Sequence, residues 1–391
     1  MTANLSVAAQ SLAAYARSNG EESLAIDGVV RLLSILELPA GALDGLSDGA
    51  AVVNRWAQTL TDRGIEAEAV RDRLADTAAA LTRVAGDFAD IDVDTAIRLR
   101  DAAAGDEYAS AVRHGYHDVV TLAPGGIDFD SAREGDPPTE LLDDDTDTPG
   151  HHAMQAFRTE HLTTLQRAET LLREADRLDF TAPTQYLAAL EPLKPGVIRR
   201  RADLASWAAR RVGDCAAAVT DRTVALREGW TGGRAIDAVG DHADGTRGHL
   251  GELTGELDWL AGEAEQLWRL LDGLCADLAS DAESHVERVN GSRIGRIAAA
   301  VELVEETRNY TVDGEGDLLW GSLTTHDDDA IVQVLYKRVW YLANAFGNSV
   351  DRTNQALRTL VDTTAHPADP APRADPGENW PPAPAADDAR N

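Results

Sequence analysis

Between Leu250 and Leu278 nine apolar residues recur at strictly alternating spacings of three and four: Leu250, Leu253, Leu257, Leu260, Ala264, Leu267, Leu271, Leu274 and Leu278. On a helix that spacing puts every one of them on a single stripe, the seam by which a helix packs along a partner. On a strand the same residues would fall on both faces and bury nothing coherent. A stripe sustained over about eight turns therefore commits this part of the chain to packing of one long helix against others.

The period recurs elsewhere. Ala67, Val70, Leu74, Thr77, Leu81, Val84 and Phe88 alternate in the same way. Leu204, Ala208, Val212, Cys215, Val219 and Leu226 share one face of the stretch 197–229. Leu5, Leu12, Leu24, Val29, Leu32, Leu33 and Leu36 give a further helix-spaced set, with a break expected near Asn19–Gly20. No segment reads as a strand. The expected fold class is all-α, an elongated bundle of long antiparallel helical hairpins with an acidic linker and a Pro-rich tail.

Punctuation divides the chain. Residues 1–104 read as an N-terminal hairpin, turning in the Pro- and Gly-containing stretch from Leu38 to Gly49. Residues 105–150 read as an acidic flexible linker carrying Pro124–Gly126, Pro137–Pro138, Asp143–Asp145 and Pro149–Gly150. Residues 151–290 form a helical domain that turns at Trp230-Thr231-Gly232. Residues 291–364 form a C-terminal hairpin, with helices expected over Ile294–Glu306 and Ile331–Leu360 around an acidic loop reaching Asp329. Residues 365–391 are rich in Pro, Ala and Asp, a composition that does not order itself.

Charge narrows the partners. The formal net charge is −31, from 67 acidic and 36 basic residues, of which only Lys194 and Lys337 are lysines. Such a surface repels phosphate backbones and anionic head groups, so nucleic acid is not an expected partner. An Asp, Arg and Ala bias of this kind suggests a GC-rich or salt-adapted source. No apolar run approaches the ~20 residues of a membrane span. The first residues lack the basic, then apolar, pattern of a signal peptide.

Sequence patterns for chemistry are sparse. His114/His117, His151–His152 and His242/His249 are too scattered to define a metal site, and solvated histidines are expected. The acidic stretches 143–147, 313–317 and 327–329 invite a calcium reading. The loop beginning at Asp313 fails it, because Thr324 stands where a bidentate Glu is required. No nucleophile elbow, Cys–His pair or phosphate-binding loop is present. Cys215 and Cys275, placed on opposite arms of the central hairpin, fall about 40 Å apart along the helices, too far for a disulfide. Non-enzymatic, cofactor-free action by protein binding is the expectation.

Trp230-Thr231-Gly232-Gly233 closes one long helix and opens another. Glycine accepts the positive φ that reverses the chain, and the indole can cover the open end of the bundle. With Ala235, Ala238 and the heptad-patterned helices on either side, this resembles the WXG family of type VII secretion substrates. The layout as a whole resembles the PE–PPE-type fused substrates of those systems. The family also carries an export signal of an aromatic residue and an acid four residues later, with Tyr first. Here Phe88 and Asp92, at the end of the N-terminal hairpin, stand in that place with Phe for Tyr. Trp259/Glu263 and Trp268/Asp272 share the spacing. Pro137-Pro138-Thr139 only partly echoes the family's Pro-Pro-Glu.

The resemblance implies a bipartite recognition surface of Trp230 and Gly232 with Phe88 and Asp92. It implies secretion without a signal peptide, through a type VII ATPase or chaperone, with self-association among the modes open to it. A cytoplasmic helical scaffold or chaperone, or the targeting component of a toxin system, is the alternative.

Overall fold

The computed structural model describes residues 2–39, 41–103, 148–229, 234–286, 297–309 and 326–363. Among them every regular element is an α-helix. In chain order these are α1 (Thr2–Ile35), α2 (Gly49–Ala103), α3 (Pro149–Glu174), α4 (Pro183–Ala189), α5 (Pro195–Gly229), α6 (Arg234–Val286), α7 (Ile297–Asn309) and α8 (His326–Thr363).

The seams are buried as their spacing demands. All nine positions from Leu250 to Leu278 on α6 are at most 2% exposed. Each leucine so buried contributes on the order of 1.5–3 kcal/mol relative to leaving it in water. Leu204, Ala208, Val212, Cys215, Val219 and Leu226 face inward from α5, and Ala67, Val70, Leu74, Thr77 and Leu81 from α2. Both cysteines are free and buried. Desolvation pushes the Cys275 thiol up to about 12 and that of Cys215 further still, so both are inert packing residues.

Cross-helix contacts set the directions. Trp56 Nε1 of α2 donates to the Leu36 carbonyl (2.8 Å), and Ser23 Oγ of α1 donates to the Arg71 carbonyl (3.0 Å). As α1 is followed backwards α2 runs forwards, so the two are antiparallel. α5 and α6 are antiparallel in the same way: Gly213 faces Thr254, and Arg227 lies over Gly240. The helices α1 and α5 pack together, α3 and α8 lie against α6, and α7 fits between α3 and α8.

Two glycines at helix contacts differ in what they must do. Gly45, in the α1–α2 turn, has φ +117°, and a Cβ there would strike the Ala189 carbonyl at the end of α4. At Gly240 a Cβ would meet only the Arg227 guanidinium, the end of a flexible, half-exposed side chain that can move aside.

Several sequence expectations need correction. α1 runs unbroken through Asn19–Gly20, where Asn19 is buried and its side-chain amide donates to the Tyr15 carbonyl (2.8 Å). Packing overrides the local weakness of Gly in a helix. Pro149 and Gly150, read as linker, form the first turn of α3, where proline's missing N–H costs nothing. Asp327–Asp329, read as loop, lie within the helical backbone of α8. Residues 105–147 of the linker and the tail beyond Thr363 lie outside the described residues, as do His114, His117 and Asp313–Asp317.

Candidate recognition surface

The sequence points to two places, the junction between α5 and α6 and the distal part of α2. Trp230 and Gly232 lie outside the described residues, which stop at Gly229 and resume at Arg234. Phe88 and Asp92 lie within α2, whose backbone is described through both, while their side chains are outside the description.

Three polar contacts fix how α2 runs along α6. Arg55 donates to Glu263 (3.2 Å), Arg63 pairs with Glu256, and His242 Nε2 meets Thr77 Oγ1 (2.6 Å). From Arg55 to Thr77 α2 advances 22 residues while α6, from Glu263 to His242, runs back 21. The helices are therefore antiparallel in nearly constant register. Beyond Thr77, Phe88 is 11 residues on and Arg234 is 8 residues back from His242, or about 16 and 12 Å along the axes. The backbone of α2 at Phe88 is thus within about 5 Å, along the axis, of the first turn of α6.

The last described turns of this end are tightly held. Tyr15 OH of α1 bonds Thr223 Oγ1 of α5 (3.1 Å), in a buried contact that raises the phenol's pKa through desolvation. Thr77 Oγ1 donates to the Arg73 carbonyl (2.6 Å), so its single proton is engaged and His242 must present Nε2–H to it. Burial, then the positive charge of Arg73, lower the pKa of His242 and favour the neutral ring. The solvated reading of His242 is therefore wrong: it bridges α6 to α2. Its partner Thr77 was visible as a seam position, but no local signal in the sequence pairs the two.

The other two aromatic–acid pairs are engaged inside the chain. Trp259 lies under the Arg55 guanidinium (5.7 Å), which also bonds Glu263 and the Leu360 and Val361 carbonyls at the end of α8. Trp268 is flanked by Arg199 (5.4 Å) and Arg269 (5.7 Å), and Asp272 accepts the backbone N–H of His151 (3.0 Å). Each pair works as internal mortar between helices, so neither presents the free aromatic–acid edge that the spacing alone suggested.

Among the described residues no three His, Cys, Asp or Glu side chains converge to hold a metal ion, and no helix is long and apolar enough to cross a membrane. No family model matches the chain, and neither a curated protein nor a solved structure does.

Proposed function

We propose that this chain is a type VII secretion substrate, or a structural component associated with such a system, acting by helix–helix association. In this reading the molecule is an elongated bundle of antiparallel hairpins. α2 and α6, at 55 and 53 residues, each extend about 80 Å. One end of the bundle is the recognition end, where Trp230, Gly232, Phe88 and Asp92 together meet a secretion ATPase or chaperone.

The observation that carries the reading is the shared register of α2 and α6. The signal elements are separated by more than a hundred residues in sequence, yet α2 at Phe88 is level with the first turn of α6. A bipartite surface needs that convergence. Engagement of Trp259, Glu263, Trp268 and Asp272 within the fold favours Phe88/Asp92 among the pairs with the right spacing.

A scaffold that captured partners along an open seam would need the seam free. The nine α6 positions are instead buried by the chain's own helices, so this alternative is the weaker one.

The test is expression in an actinobacterial host with and without an active type VII ATPase. Appearance in the medium only with the ATPase, and its loss in Phe88→Ala and Asp92→Ala chains that still fold, is the expected result. Equal amounts in the medium of both strains would end the proposal.

A further inference from the structure

On α8 three exposed residues, Lys337, Asn344 and Asp351, stand seven apart in sequence. Seven residues are close to two helical turns, so the three form one stripe that drifts by only about 20° per step. The opposite face of the helix is buried through Val339, Leu342, Phe346 and Val350, so the stripe points away from the bundle. Trp340 and Tyr341 flank it one turn before Asn344. They are 39% and 51% exposed, and their rings meet edge to face at 5.2 Å. No other aromatic residue among those described is so exposed.

The charges of the stripe are not used inside the chain. Among the described residues, neither the Lys337 ammonium nor the Asp351 carboxylate enters an ion pair or a hydrogen bond. Arg352, next to Asp351, turns instead to Asp277 of α6 (3.7 Å). Lys337 is one of only two lysines in a chain of net charge −31. An unengaged ammonium beside two exposed rings is therefore an exception on this surface, and exposed aromatic area of this kind gains by being covered.

The order of the stripe is complementary to itself. In a two-fold contact, whatever residue i meets on the second copy meets i in return. With two copies of α8 antiparallel and the axis at Asn344, Lys337 lies two turns, about 10 Å, to one side. It faces Asp351 of the second copy, and Asp351 faces the second copy's Lys337. Asn344 meets its own mate, and an amide both donates and accepts. Like flanks meet in such a pair. On one flank Trp340 comes level with Gly347 of the second copy, which offers no side chain to obstruct it, and on the other Tyr341 comes level with Asn348. A parallel pairing would instead set lysine against lysine and aspartate against aspartate.

We propose that the exposed face of α8 is a homodimer interface, in which two copies of this chain pair antiparallel about Asn344 through reciprocal Lys337–Asp351 contacts. This stands independently of the export reading. The stripe spans 14 residues, about 21 Å, and the net charge opposes association. The interface is therefore small, and a dissociation constant in the micromolar range is expected.

The experiment is sedimentation of the full-length chain across the micromolar range, with native mass spectrometry of isotope-labelled mixtures. The native chain should dimerise with rising concentration. Lys337→Asp and Asp351→Lys should each weaken self-association by about tenfold or more, because each places like charges opposite one another twice, with unchanged helical circular dichroism. Mixing the two single variants restores both opposite-charge contacts, so a one-to-one heterodimer should form in preference to either homodimer. The double variant, Lys337→Asp with Asp351→Lys, should dimerise again. A native chain that stays monomeric would overturn the proposal. So would a dimer indifferent to both single variants, or a mixture of the two that shows no preference for the heterodimer.

Discussion

The contact that most directly sets the register of α2 against α6 is the ion pair of Arg63 with Glu256. The Arg63 side chain is only 6% exposed, and it also pairs with Glu66 at 2.5 Å. Its carboxylate partners are 17% and 20% exposed, so solvent screens this cluster far less than a surface pair. Exposed ion pairs couple by about 0.2–1 kcal/mol, whereas losing one partner of a buried pair costs about 3–5 kcal/mol because a charge is stranded. With a fifth of the Glu256 side chain still reaching water, Arg63→Met should fall at the low end, about 3 kcal/mol. A double-mutant cycle of Arg63→Met and Glu256→Gln, followed by urea unfolding, should give a coupling of about 1.5–3 kcal/mol. The control is Arg247 with Asp244, about half exposed on both sides (52% and 49%), where about 0.5 kcal/mol or less is expected. Equal coupling in the two cycles would refute the argument that this pair holds α2 in register.

Three further outcomes follow from the same contacts. His242, with its pKa lowered by burial and by Arg73, stays neutral in the fold after the unfolded chain has begun to take up protons near pH 6.5. Stability should therefore fall as pH drops below 6.5 and on through the lower folded value. The difference in urea midpoint between pH 7.5 and 5.5 should be larger for the native chain than for His242→Gln, and equal shifts would refute it. Leu271→Ala, at a fully buried seam position, should cost about 2–5 kcal/mol; a thermal midpoint within a degree of the native chain would contradict its place in the core. Gly45→Ala, at φ +117° against the Ala189 carbonyl, should destabilise by about 1–3 kcal/mol. Gly64→Ala, where a Cβ meets open space, should stabilise by about 0.5–1 kcal/mol, so the two melting shifts should carry opposite signs.

Much of the helical architecture was legible because periodicity is a property of the chain itself. The run from Leu250 to Leu278 can satisfy one stripe only as a helix, and every position in it is buried. Helix ends were less legible. Gly20 reads as a break but lies within α1, where buried Ala16, Ile26 and Val29 hold the helix straight through it. Pro149 reads as linker but begins α3, since a proline in a first turn carries no hydrogen-bond penalty.

The candidate recognition surface divides in the same way. Trp-x-Gly at 230–232 and an aromatic–acid pair at 88 and 92 are visible in the sequence, because spacing along one helix is local information. Which aromatic–acid pair is already occupied was not visible. Trp259 lies under Arg55 and Trp268 beside Arg199 only because helices distant in sequence pack side by side. The same holds for the level at which α2 meets α6. Heptad spacing says that a helix has a partner, but it carries no record of which partner or in what register. That choice rests on Arg63 with Glu256 and Thr77 with His242, pairs brought together by the tertiary fold alone.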